Sequence, residues 1–600
     1  MRFRPRWFLF AISLAESTVA SLPSPRGPIV DLGYAAYRGY FDSAHGLNIW
    51  KGIRYAAPPV GKLRWQVPVA PHADNGVVSA VDQPPVCPQS GAARTPAEYG
   101  FVSGSGDEDC LFLNVYASLG ASDLPVLVWI HGGGYSVFGA TNDPSPMMNT
   151  NDNQFITVEI QYRLGAFGYL SSEEVKSRGH TNVGLLDQRF ALEWVQKHIV
   201  RFGGDPSRVT IGGESSGAGS AMLQALAYGG EEFDLFRNVI AASPYSPPIY
   251  QYNDQEPTRY YDYFAELAGC GSGAVNNTFD CLVDAPTEVL QNASGIVSMS
   301  GDLFGSFAFS PVVDEDFITT RPSQQLLHGY VSGQRILVGN NANDGVPLSD
   351  PNVTDHDALN RHIARMFPRF TGDETALLNH VYQTQFSQPT NDHPRFDTLG
   401  DSGPTALNQS EMATGLQQTA FNIYAETTFS CPAQWLAEAF SYGPRRAWKY
   451  QYSVTPAYHG ADLQATFPTE EGTWPSSDFN HAFHKMWGNF IIHETPVISI
   501  SEATGNKSNA TVPVDCRHHG KNDNDNIRWP SFRLDQQWQI DLNTTGGTVR
   551  HHVVTPSLSY YLREGDGVVN TFRLGDAYSW EGGRGHRCAF WRGVSASVPQ

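Results

Sequence analysis

The sequence predicts an α/β fold, a large and mostly parallel sheet with helices on both faces. Three observations predict it. Short apolar runs rich in β-branched residues, "LPVLVWI" (124–130), "FITVEIQY" (155–162), "RVTIG" (208–212) and "RILVG" (335–339), read as buried strands. The stretch "GLLDQRFALEWVQKHIVRF" (184–202) repeats its apolar residues at intervals of three and four, as a helix with one buried face does. Strand-like and helix-like segments then alternate along the chain, the order that builds parallel sheets covered on both sides.

Taken from the N-terminus, "MRFRPRWFLFAISLAESTVASLP" sets three arginines before an apolar run that ends in small residues near Ala20. This is the order of a secretory signal peptide, too short to span a bilayer, so residues 1–20 are set apart from the fold. No later segment reaches about 18 uninterrupted apolar residues, so no integral membrane segment is expected. With 40 Lys plus Arg against 60 Asp plus Glu, the formal charge of -20 opposes binding to nucleic acid or to anionic membranes. Neither internal repeats nor long low-complexity tracts occur. Residues 501–526, rich in Asn, Asp, Ser, Gly and His, read as an inserted loop.

After the run at 124–130 comes His131-Gly132-Gly133-Gly134, where successive glycines let backbone N–H groups approach one oxygen closely. The spacing is not G-x-G-x-x-G, so it is not a dinucleotide loop. After the run at 208–212 comes Gly213-Glu214-Ser215-Ser216-Gly217, a G-x-S-x-G pattern between a strand and a helix opened by small residues. In that setting the turn is a nucleophile elbow that lifts the Ser215 hydroxyl out of the sheet; a glycine-rich turn with serines as helix caps is the plainer reading. A serine nucleophile obliges the chain to supply a base, an orienting acid and oxyanion donors.

Together these residues resemble the type-B carboxylesterases, the cholinesterase-like group that includes several microbial lipases. The resemblance runs through "GIRYAAPPVGKLRW" (52–65), "EDCLFLNVY" (108–116), "HGGGY" (131–135), "YRLGAFGYL" (162–170), the long block at 182–220, "SFAFSPVVDEDF" (306–317), "HGADL" (459–463) and "CAFW" (588–591). It implies one α/β-hydrolase domain over residues 21–600. Ser215 would be the nucleophile, and Gly133, Gly134 and Ser216 would lend backbone N–H groups to an oxyanion hole. Ser216 stands where alanine is usual. The base falls on His459, one of nineteen histidines. The acid falls on Asp344 in "ILVGNNANDGVPL", where relatives carry the longer glutamate, so a backbone shift of about an ångström or a bridging water is expected; Asp314, Glu315 and Asp316 are the rival carboxylates. The order Ser215, Asp344, His459 is that of an α/β-hydrolase.

The same resemblance pairs Cys87 with Cys110, Cys270 with Cys281 and Cys431 with Cys588, leaving Cys516 over in the inserted loop. A secreted glycoprotein fits this, with N-x-[ST] sequons at Asn276, Asn292, Asn352, Asn408, Asn506, Asn509 and Asn543. No metal is expected: "VDCRHHG" (514–520) lacks a second spaced ligand pair, and His481 with His484 misses H-E-x-x-H and reads as part of a helix. No cofactor is implied. The expected function is a secreted serine hydrolase that cleaves small-molecule carboxylic esters through an acyl-enzyme on Ser215. The loop at 88–109 carries no tryptophan, which disfavours choline esters, and few large apolar residues, which favours an esterase over a true lipase on long-chain acylglycerols. Two further functions are compatible with the same fold: a catalytically inactive adhesion-type member, which would lack nucleophile or base, and a serine peptidase or amidase.

Overall fold

The core forms because successive strand residues point to opposite faces. The computed structural model describes residues 27–600 apart from 232–233, 272, 274–276, 384–399, 401–406, 408, 469–473, 506–524 and 556–557. Its main sheet has eleven strands: β1 (Tyr40–Asp42), β2 (Leu47–Arg54), β3 (Phe112–Ser118), β4 (Leu124–Ile130), β5 (Ile156–Ile160), β6 (Gly204–Glu214), β7 (Asn238–Ala242), β8 (Arg335–Asn341), β9 (Arg446–Tyr452), β10 (Trp538–Thr555) and β11 (Leu558–Asp576). In space they run β11-β10-β9-β8-β7-β6-β4-β5-β3-β2-β1. The strands from β10 across to β5 run parallel to one another, and the antiparallel pairs lie at the two ends. A separate small sheet joins Ile29–Asp31, Ala36–Arg38 and Val77–Ser79.

Val126, Val128 and Ile130 of β4 enter one core with Val239 and Ala241 of β7 and Ile336 and Val338 of β8. Their alternates Leu127, Trp129, Ile240, Ala242 and Leu337 enter a second core. The first is covered by helix α1 (Val183–His198) through Leu185, Leu192 and Val195, and by α2 (Ser216–Gly230) through Ala218, Met222 and Leu226. Further along the chain come α3 (Gly415–Ala425), α4 (Cys431–Ala439) and α5 (Ser477–His493), with α6 (Trp580–Gly593) near the C-terminus. Phe479, Phe483, Met486, Trp487 and Phe490 of α5 cover the second core. Helices thus lie on both faces, as expected.

Each of the four runs read as strands lies in the sheet, and the helix expected at 184–202 closes as a 3₁₀ turn at Ile199–Phe202 before Gly203. The insertion at 501–526 is corrected at its start: Ile500–Thr504 is helical because Ser499 and Glu502 form a reciprocal capping box. The three implied disulfides are present, Cys87–Cys110, Cys270–Cys281 and Cys431–Cys588. Cys516, the segment 514–520, residues 1–20 and the sequons at Asn276, Asn408, Asn506 and Asn509 lie outside the described residues. Asn292 and Asn352 are exposed. Asn543 is corrected as a glycan acceptor: it sits inside β10 at 5% exposure, its side-chain oxygen accepting from the Thr544 N–H. Among the described residues no helix is long and apolar enough to cross a membrane.

Candidate active site

The strand order reverses between β4 and β6, and a crevice opens there at the carboxyl ends of the strands, where open α/β sheets bind ligands. Residues Ile130 of β4 and Gly213 of β6 lie side by side in register, so the HGGG loop and the Ser215 turn emerge together. Ser215 has φ 58° and ψ -127°, a backbone conformation costing about 1–3 kcal/mol that only the surrounding fold sustains. The packing leaves no room two residues later, where a Cβ on Gly217 would sit 2.0 Å from the Ile130 carbonyl oxygen. The turn is held by the Ser215 N–H donating to Ala242 O, while Ser215 O accepts from the N–H groups of Gly219 and Tyr245.

Asp344 follows β8 by three residues and His459 follows β9 by seven. The two loops are joined by a bridge between Asn343 and Tyr458 and by the His459 N–H donating to Val346 O. His459 Nε2 lies 2.9 Å from Ser215 Oγ, and its Nδ1 lies 3.0 Å from Asp344 Oδ1. The carboxylate can only accept, so Nδ1 carries the proton and Nε2 is left with a lone pair facing the Ser215 hydroxyl. Asp344 contacts the imidazole directly, so the expected bridging water is not needed. It is fully buried and also accepts from Ser243 Oγ at 2.9 Å and from the Asn341 N–H at 2.9 Å. Phe429 packs against the His459 ring in a tilted arrangement, with centroids 4.2 Å apart and planes at 30°.

Gly133 and Gly134 line the same cavity as Ser215. Gly134, at φ 62°, must be glycine, since a Cβ would lie 2.2 Å from the Phe307 ring. Ser216 opens α2, where the first N–H groups have no partner within the helix. Among the described residues, no protein acceptor takes the N–H groups of Gly133, Gly134 or Ser216. The rivals to Asp344 fall elsewhere. Asp314 accepts from Asn182 Nδ2 and the Ile318 N–H, and Glu315 and Asp316 are exposed. His484 is buried in α5, bonded to Thr150 and Thr466, and His481 is exposed on the same helix.

Sequence reasoning missed Glu214. It is buried, with Oε1 3.4 Å from His459 Nε2. Burial pushes its carboxyl up to about 8, with His459 pulling the other way and Asp462 and Asp344 adding to the rise. For His459, burial works against the imidazolium, but Glu214 and Asp344 overcome it and hold the ring above the ordinary histidine value. The only signal for Glu214 was its place beside Ser215. The cavity, about 360 Å³, is walled by Tyr99, Phe101, Phe138, Phe307, Met412, Tyr458 and Leu558 among others. Tyr99 and Phe101 come from the loop at 88–109, which supplies more apolar surface to the site than its composition implied. Such an arrangement can deprotonate a hydroxyl, stabilise an oxyanion and hold an uncharged apolar molecule against both.

The sequence matches the model of the Carboxylesterase family over residues 27–560. A carboxylesterase patB of Penicillium expansum is 31% identical over 522 residues, covering 78% of this chain and 87% of that protein. Secreted lipase 1 of Botryotinia fuckeliana is 29% identical over 495 residues, covering 77% and 84%. Among solved structures, Aspergillus niger EstA superposes with a TM-score of 0.73 over 96% of this chain and 99% of its own, at 23% identity, so the two share a fold.

Proposed function

Because the chain belongs to the carboxylesterase family, we propose that it is a secreted carboxylic ester hydrolase working through an acyl-enzyme on Ser215. The observation that carries this is the continuous relay from Asp344 through His459 to Ser215, with contacts of 3.0 and 2.9 Å, opening into an apolar cavity. His459 Nε2 takes the proton of Ser215 as Oγ forms a bond to the ester carbonyl carbon. The carbonyl oxygen becomes an oxyanion, received by the N–H groups of Gly133, Gly134 and Ser216. As the tetrahedral intermediate collapses, the C–O bond to the alcohol breaks and His459 returns its proton to the leaving oxygen. Water, deprotonated by the same imidazole, then cleaves the acyl-serine to release the acid and restore Ser215. Asp344 keeps the ring in the tautomer this needs.

The uncharged walls of the cavity favour esters of modest size without a cationic group. Phe307 also borders a second cavity of about 350 Å³, so the room beyond it bears on acyl length. A lipase acting on long-chain acylglycerols is the second reading, favoured by relatives named secreted lipases and by Phe138, 44% exposed beside the cavity. Secretion is supported by the three disulfides and by those relatives.

Ser215→Ala is expected to lower kcat/KM on an aryl butyrate by at least ~10⁴-fold while leaving the thermal midpoint within a few degrees of the unsubstituted protein. Turnover surviving that substitution removes the assignment. Comparing soluble short-acyl esters with emulsified triacylglycerols separates the two substrate readings.

A further inference from the structure

The last two strands of the main sheet outgrow it. β10 pairs with β9 only over Gln539–Leu542, yet β10 and β11 continue to pair with each other as far as Thr555 and Leu558. His552, opposite Tyr560, lies ten residues beyond Leu542, which at about 3.3 Å per residue is about 33 Å of strand past the sheet. The root of this hairpin is buried, whereas residues 546–552 are exposed or nearly so, as in an arm that leaves the body of the protein. A register shift between Gly546 and Thr548, opposite Gly565 and Gly567, puts a bulge at the base of the arm. Bulges bend a strand and redirect the residues beyond them.

Beyond the bulge, the far end of the arm reaches back to the active site. Leu558, at 4% exposure, packs with Val346, Met412 and Phe421, and the Tyr560 ring lies 6.0 Å from that of Tyr458. Both Leu558 and Tyr560 line the cavity that holds Ser215. They stand on a definite side of it. Tyr458 precedes His459 in the chain, and Val346 accepts the His459 N–H, so this cluster surrounds the base. Phe307, by contrast, stands against Gly134 at the oxyanion side. In ester hydrolysis His459 must hand its proton to the departing oxygen, so the alcohol half of the ester lies toward the base.

We propose that Leu558 and Tyr560, carried on this hairpin arm, form the alcohol-side wall of the pocket and select esters of bulky, uncharged, apolar or aromatic alcohols. The inference rests on the ester-hydrolase reading above. Leu558 offers a buried aliphatic face, and Tyr560 offers a ring against which a flat alcohol group packs, while the titratable neighbours, Glu214 and His459, lie at the reacting centre. An alcohol too small to reach the arm gains nothing from either.

The test uses the full chain and two ester series. One fixes the acyl group as butyrate and varies the alcohol through ethyl, benzyl and 2-naphthylmethyl; the other fixes benzyl alcohol and varies the acyl group from acetate to octanoate. The unsubstituted protein is expected to prefer benzyl over ethyl butyrate. In the Leu558→Ala, Tyr560→Ala double variant the benzyl-to-ethyl ratio of kcat/KM is expected to fall about tenfold, mainly through KM, with the acyl-length ratios unmoved. Leu558→Trp, which fills the pocket from the same side, is expected to depress 2-naphthylmethyl turnover most and serves if the double variant does not fold. An unchanged alcohol ratio in the folded variants, or equal losses across both series, overturns the wall while leaving ester hydrolysis standing. If the unsubstituted protein cleaves no ester in either series, the reading of the site fails and takes this inference with it.

Discussion

At His459 three buried carboxyl groups converge, and the state of the imidazole depends on them. Glu214 and Asp344 favour its charged form, and Asp462, itself pushed up to about 6 by burial despite the Asn341 side chain donating to it, adds a weaker pull. Base catalysis needs the neutral ring, so raising the imidazole above its ordinary 6.5 moves the acidic limb of kcat/KM upward in pH. Activity is therefore expected to fall as pH drops through a midpoint above 6.5, measured on an uncharged ester so that only the enzyme titrates. Glu214→Gln removes the carboxyl that most strongly favours the imidazolium and should move that limb to lower pH. A limb that stays in place shows that Glu214 does not govern the base, and a profile that is flat from about pH 5 to 8 shows that His459 is not the base. Because Glu214 and His459 are coupled, the midpoint belongs to the pair. Asp344→Asn, which offers Nδ1 an amide in place of a pure acceptor, is expected to cost about 10³–10⁴-fold in kcat.

The elements differ in how plainly the chain announces them. Central strands such as Leu124–Ile130 were legible because burial on both faces demands continuous apolar residues. The Ser215 turn was legible in outline because the crowded strand-to-helix bend leaves no room for a side chain at Gly213, Gly217 or Gly219. Other parts depend on distant partners and left no local trace. Between α3 and α4 the chain passes through a π-helical turn, Glu426–Ser430, which presents Phe429 to the His459 ring. That turn is anchored by Glu426, fully buried, which accepts from Arg587 Nε and Nη2 at 2.7 Å each and from the Tyr382 hydroxyl at 2.7 Å. Burial opposes the Glu426 charge, but Arg587 and Arg584 outweigh it and hold the carboxyl below its usual range. Its partner is 161 residues away, a separation at which no periodicity speaks. Glu426→Ala strands a buried guanidinium, and is expected to cost about 3–5 kcal/mol in stability, read by denaturant unfolding. Replacing Glu426 and Arg587 together by Leu and Met should recover most of that loss; equal loss in the single and double variants would show that the anchor is packing and not charge. The hairpin arm was illegible for a similar reason. Its β-branched "TVRHHVVT" suits a strand, but nothing in those residues says that the far end returns to the cavity that holds Ser215, a much earlier part of the chain.

Over the whole molecule, function is assembled from loops at the carboxyl edge of one sheet, and covalent ties fix their distance from it. Cys87–Cys110 closes the loop that brings Tyr99 and Phe101 to the cavity, whereas Cys431–Cys588 ties α6 to α4 across 157 residues. The two bonds should therefore fail differently. Opening the long connection releases much chain entropy in the unfolded state, and Cys431→Ser with Cys588→Ser is expected to cost about 2–5 kcal/mol in stability. The short loop at 88–109 contributes little to the two large cores but supplies part of the wall of the cavity that holds Ser215. Cys87→Ser with Cys110→Ser is thus expected to raise KM for apolar esters several-fold, with a smaller fall in the denaturation midpoint than the first pair causes. Measuring KM and the midpoint for both double variants separates the roles: if opening 88–109 lowers the midpoint as much as opening 431–588 and leaves KM unchanged, that loop is a structural strap and Tyr99 and Phe101 do not touch the ester.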